Sequence, residues 1–185
     1  RCWDVLLTDG ISSRLLDHLH SFEDGTNLLG PAALLFYGNP EHVERLMLAS
    51  RYLDGHLTRI NPQGDRLFPS WYFSATKIRT DQHSDYGACL VMMPARYLVW
   101  YNGNPRALRV CSEWMDSWLK RMPGEVKGRL YGEPGKFAVD FETGAWVAGG
   151  RPNAMPAHMY WLASMTGDRR FLEPVFAFWR RGEYV

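Results

Sequence analysis

Three Gly-Asn or Gly-Asp turns at nearly equal intervals constrain this chain more than any other feature. Gly38-Asn39-Pro40, Gly103-Asn104-Pro105 and Gly167-Asp168-Arg169 are spaced by 65 and 64 residues, and a Pro-Ala pair precedes each: Pro31-Ala32, Pro94-Ala95 and Pro156-Ala157. Behind each pair runs a short apolar segment, residues 33–37, 97–101 and 159–163. Proline fits a first helical turn, glycine accepts the left-handed exit, and Asn or Asp caps the helix that follows. Each unit therefore reads as helix, tight turn and helix.

The second helices carry the expected period. Val43, Leu46, Met47 and Leu53 share a face, as do Leu108, Cys111, Met115 and Trp118, and then Phe171, Val175, Phe178 and Trp179. Before the first unit, Ile11, Leu15, Leu16 and Leu19 predict an amphipathic helical segment over residues 11–20. Hairpins of this kind cannot bury an apolar face alone and stack on their neighbours. A spacing near 64 residues exceeds the ~34 to 47 residues of common helical repeats. The surplus falls in two long excursions, residues 55–87 and 123–155. Long structured loops in compact domains tend to carry function.

The composition narrows the partners. A formal charge of +1, with Lys and Arg scattered among acids, offers no basic stripe for nucleic acid or an anionic membrane. No apolar run is long enough for a transmembrane helix. Cys2, Cys89 and Cys111 form no CxxC pair and the histidines no HxxxH or HxH spacing, so neither a zinc site nor any other cofactor is expected. Eight Trp, nine Tyr and nine Phe exceed the needs of a small helical core, which predicts aromatic rings on view in the loops. Trp100, Trp114, Trp118, Trp161 and Trp179 fall on helical runs and are expected in the core, whereas Trp71, Tyr72, Tyr131 and Trp146 fall in the excursions.

Repeated hairpins with a Gly-Asn/Asp turn, many aromatics and long polar-aromatic loops resemble the (α/α) toroid superfamily of carbohydrate-active enzymes, which includes polysaccharide lyases and several glycoside hydrolases. The likeness is architectural and covers most of the chain. It implies an all-α fold, residues 1–185 forming one helical-hairpin domain with about three hairpins of an incomplete toroid, whose remaining hairpins or further domains would be partners. It also implies a carbohydrate ligand and a periplasmic or secreted setting.

The richest chemistry lies in residues 71–87. If the ligand is a uronate polymer, β-elimination needs a group to neutralise the carboxylate, a base for the C5 proton and an acid for the leaving oxygen. Toroid lyases are similar in using Asn or Arg for the first task and His or Tyr for the others. Arg79 suits a bidentate pair with a carboxylate, His83 suits a general base near neutral pH, and Tyr86 suits a proton donor. Were this segment the start of the next helix, His83 and Tyr86 would share a face. Asp81 or Ser84 could instead cap that helix, and Arg79 could pair with Asp81 or Asp85.

Trp71, Tyr72, Trp146 and Tyr131 are candidates for stacking on sugar rings or, alternatively, for anchoring the loops, alongside Asp81 and Asp85 as substrate-binding carboxylates. Asn27, Arg151, Asn153 and His158 occupy equivalent places before or just inside the first helices of units one and three, and are expected to converge on the same cleft. Paired carboxylates for hydrolysis form the alternative chemistry, drawn from Asp81 and Asp85, Asp140 and Glu142, or Glu23 and Asp24. Asp140 and Glu142 alternate with Val139 and Phe141 as in a short strand with one wet face. A helical-repeat scaffold that binds without chemistry is the third alternative.

Overall fold

The computed structural model describes residues 17–18, 32–73, 76–79, 84–121, 138–148 and 155–180, with backbone alone at 17–18, 84–88 and 178–179. These residues are mostly helical. Besides helical residues 32–35, they include five longer α-helices: α1 (Pro40–Leu53), α2 (Met93–Asn102), α3 (Pro105–Leu119), α4 (Met155–Thr166) and α5 (Glu173–Arg180). A 3-10 helix, Tyr86–Met92, leads into α2, and another, Arg169–Leu172, leads into α5.

The turn chemistry is the same at the three glycines. Gly38, Gly103 and Gly167 have φ of 80°, 66° and 73°, the left-handed region that glycine enters without a Cβ clash. Gly103 N–H donates to the Val99 carbonyl at 2.7 Å and Gly167 N–H to Ala163 at 2.9 Å, closing the last turns of α2 and α4. The next residue in each case caps the helical segment beyond the turn. Asn39 Oδ1 accepts from His42 N, Asn104 Oδ1 from Ala107 N at 3.0 Å, and Asp168 Oδ1 from Arg170 N at 3.0 Å. Pro40 and Pro105 occupy first turns, where a missing N–H costs nothing.

Helix α1 packs on α2, α2 on α3, and α3 on α4. The core between them holds Leu46, Ala49 and Leu53 of α1, Ala95 and Leu98 of α2, Met159 and Leu162 of α4, and a run along α3: Val110, Cys111, Trp114, Met115 and Trp118. Trp114 and Trp118 have no exposed surface. Truncating either to alanine is expected to cost on the order of 3–5 kcal/mol. Trp100 departs from expectation at 46% exposed, and Trp161 is half-buried. The run over residues 33–37 also departs. Helix covers only residues 32–35 there, and Leu34, Leu35, Phe36 and Tyr37 all lie exposed.

Short strands hold the excursions. They are β1 (Asp17–His18), β2 (Arg59–Ile60), β3 (Arg66–Leu67), β4 (Tyr72–Phe73), β5 (Ser84–Asp85), β6 (Ala138–Val139) and β7 (Trp146–Val147). β1 pairs antiparallel with β4, β2 with β3, and β6 lies between β5 and β7, antiparallel to both. Two sequence expectations change. Within the segment predicted as helix over residues 11–20, Asp17 and His18 are extended opposite Phe73 and Tyr72; their backbone groups find partners on β4 in place of a helical turn. Ser84 and Asp85 are likewise extended, and helix begins only at Tyr86. The expected helix therefore starts later than the sequence predicts, with Ser84 in a strand before it, and His83 lies outside the described residues.

Candidate functional site

Residues 72–79 fold back on themselves. An antiparallel bridge joins Phe73 to Ile78, and Arg79 N donates to the Tyr72 carbonyl at 3.1 Å. This return sets the exposed Arg79 guanidinium over the Tyr72 ring, 5.3 Å from its centroid, a cation–π contact. Trp71 stands edge-on to Tyr72, with centroids 6.4 Å apart and planes at 83°. Both rings are half-buried, and Trp71 also packs against the core. A planar cation and two aromatic surfaces are thus presented together at β4.

The three-stranded sheet brings the second excursion to the first. Ser84 lies opposite Val139 and Val139 opposite Trp146; Asp85 lies opposite Ala138 and Ala138 opposite Val147. Asp85 and Trp146 therefore belong to one sheet, and Tyr86 follows directly from its outer strand. Trp146 is half-buried against Trp118, ring centroids 6.0 Å apart. In the β6–β7 turn, Asp140 Oδ1 accepts from Thr143 N at 2.7 Å and Thr143 Oγ1 at 2.6 Å. Its carboxylate organises the turn. Glu142 is exposed, and its backbone carbonyl accepts from Gln63 Nε2 at 2.9 Å.

His158 is placed differently from the expectation of a cleft-facing ligand. It has no exposed surface, being held between Trp114 and Trp161 with ring centroids at 5.3 and 5.7 Å. Burial, aided by the charge of Arg96, pushes its pKa down to about 3, outweighing the opposing Cys111 backbone. The ring is neutral and belongs to the core. Beside it, burial lifts the Cys111 thiol to about 12, so it is no nucleophile at neutral pH. Asn27, Asp81, His83, Arg151 and Asn153 lie outside the described residues, as do Glu23, Asp24 and Tyr131.

Sequence reasoning missed a polar cleft of about 560 Å³ beside α3. One wall is the face of α3 carrying Glu113, Asp116, Ser117 and Lys120; the other comes from Ile60 to Arg66, with Arg170 closing one side. The β2–β3 turn that forms the second wall is locally specified. Asn61 Oδ1 accepts from Gln63 N at 3.1 Å and Asp65 N at 2.8 Å, and Gly64 takes φ 82°. Tertiary ion pairs then fix it to the helix. Asp65 pairs with Lys120 at 2.8 Å and Arg121 at 2.6 Å, while Arg66 pairs with Glu113 at 2.7 Å and Asp54 at 3.1 Å.

These pairs set the charges. Burial alone would raise both Asp54 and Asp65. At Asp54 the hydrogen bond from Arg106 and the charges of Arg66 and Arg109 prevail, and at Asp65 the hydrogen bonds from Lys120 and Arg121 prevail, so both stay below the usual carboxylate range. Asp116 is the opposite case, since burial raises it and Arg170 only partly compensates. The available signal was the polar stripe at positions 113, 116, 117 and 120, which recur at i, i+3, i+4 and i+7 on the helix. Among the described residues no group of three His, Cys, Asp or Glu is arranged to hold a metal ion, and no helix is long and apolar enough to cross a membrane. No protein-family model, curated protein or solved structure matches the chain.

Proposed function

We propose that this chain forms helical hairpins of an (α/α) toroid that cleaves an acidic, uronate-containing polysaccharide or oligosaccharide by β-elimination. The observation that carries the reading is Arg79 over Tyr72 beside Trp71. An exposed guanidinium suits the uronate carboxylate, and the adjoining ring surfaces suit the sugar face.

In this reading Arg79 neutralises the carboxylate and so makes the C5 proton more acidic. His83 removes that proton, the C5–H electrons form the C4–C5 double bond, and the C4–O bond breaks. Tyr86 supplies the proton to the departing oxygen. The atoms balance without metal or cofactor. Asp85 and Trp146, on the sheet that leads into Tyr86, line the neighbouring sugar positions. Hydrolysis by paired carboxylates draws less support, because Asp140 is engaged within its own turn.

The test is incubation with uronate polymers while ultraviolet absorbance and reducing ends are followed together. Elimination raises both. Reducing ends without the absorbance indicate hydrolysis, and glycan binding with neither signal indicates a scaffold.

A further inference from the structure

The cleft beside α3 retains hydrogen-bonding capacity of both kinds after its internal ion pairs are made. Glu113 is occupied, accepting from Arg66 Nε at 2.7 Å and Arg109 at 3.2 Å. Ser117 Oγ donates to the Glu113 carbonyl at 2.8 Å and accepts from Arg66 N at 2.9 Å. Asp116 differs. Its salt bridge to Arg170 spans 3.6 Å, too long for a hydrogen bond, and no described residue donates one to its carboxylate. Lys120 commits one ammonium donor to Asp65, and an ammonium has three. Arg170 commits Nε and Nη2 to Asp168 at 2.9 and 2.7 Å, leaving Nη1 turned to the Asp116 side.

Spare acceptors and spare donors therefore line one cleft. The charges around it, Arg66, Lys120 and Arg170 against Glu113 and Asp116, nearly cancel, so the lining does not select an ion of either sign. A hydroxyl both donates and accepts, which matches such a mixed surface. Ile60, 53% exposed, and Leu119 add an apolar strip. The volume of about 560 Å³ falls within the ~300–1,000 Å³ typical of small-ligand clefts.

We propose that this cleft is a sugar-binding subsite that holds a ring of the glycan by its hydroxyl groups, with Asp116 accepting and Lys120 and Arg170 donating. The inference rests on the carbohydrate reading of the chain and adds a second contact region to the Arg79 wall.

Amide-resolved NMR titration of the chain tests it, using a galacturonate oligosaccharide and a neutral galactose oligosaccharide of equal length. Because recognition is through hydroxyls, both ligands shift the amides of Gly64, Ser117 and Lys120, with comparable affinity. Asp116→Asn and, independently, Lys120→Met each weaken binding by on the order of tenfold, with the remaining spectrum unchanged as evidence of an intact fold. Stationary cleft amides with both ligands overturn the proposal. So does a response to the charged ligand alone that salt abolishes, which is plain charge attraction. Cleavage of uronate polymer with a silent cleft removes the subsite and leaves the lyase; cleft binding without cleavage does the reverse.

Discussion

The His158 imidazole stands edge-on to the Trp114 indole, centroids 5.3 Å apart and planes at 88°, and neither residue has exposed surface. Folding thus holds a histidine neutral, with its pKa pushed to about 3 from an ordinary 6.5. Below pH 6.5 the unfolded chain binds a proton that the folded chain refuses, so stability is full above that pH and falls as pH drops toward 3. The slope is on the order of 1 kcal/mol per pH unit. Urea midpoints between pH 7 and pH 5 check this, a window above the range in which Asp54 and Asp65 begin to titrate. His158→Phe, if it folds, should flatten the slope; an unchanged slope would place the titration elsewhere.

Asp54 gathers three arginines, Arg66 at 3.1 Å, Arg106 at 2.6 Å and Arg109 at 2.9 Å. Arg66 and Asp54 are nearly buried, whereas Arg106 is exposed. Asp54→Ala leaves the nearly buried Arg66 with Glu113 as its remaining carboxylate and removes one buried charge-assisted contact, so it should cost on the order of 2 kcal/mol. Arg106→Ala should cost less than about 1 kcal/mol. Equal costs for the two variants would show that the burial difference does not govern this cluster.

At Gly103 a Cβ would meet nothing within 4 Å, so a substitution there meets backbone strain alone, at φ 66°. Gly103→Val is expected to destabilise by on the order of 1 kcal/mol or more, and Gly103→Asn by less, because Asn tolerates the left-handed region. Melting temperatures of the two variants decide it. An unchanged melting temperature in Gly103→Val contradicts the assigned turn.

What was legible in the sequence was local. Gly38, Gly103 and Gly167 with their Asn or Asp neighbours specify turn and cap within four residues, and the α3 period names Cys111, Met115 and Trp118 as buried. What was not legible depends on partners far along the chain. Asp17 and His18 read as helical until Tyr72 and Phe73 offer them strand partners, and Ser84 and Asp85 extend because β6, more than fifty residues later, pairs with them. His158 shares a local position with polar candidates, but the packing of α4 on α3 decides its burial. The cleft is illegible for the same reason, since Arg66, Asp116 and Arg170 are far apart in sequence.

Arg79 carries the proposed chemistry by charge and shape together. Arg79→Ala is expected to lower turnover on a uronate polymer by a factor on the order of 10² or more, with Arg79→Lys recovering only part because a point charge lacks the planar fork. His83→Ala is expected to lose on the order of 10² as well. Near-normal turnover in a folded variant removes that residue from the mechanism.

The most direct measurement of the central claim is mass spectrometry of the products from a defined uronate oligosaccharide. Elimination predicts fragments whose masses sum to that of the substrate, one of them carrying an unsaturated end, with Arg79→Ala suppressing both. Fragments that sum to the substrate plus one water would contradict elimination in favour of hydrolysis, and an untouched substrate across uronate types would contradict cleavage altogether.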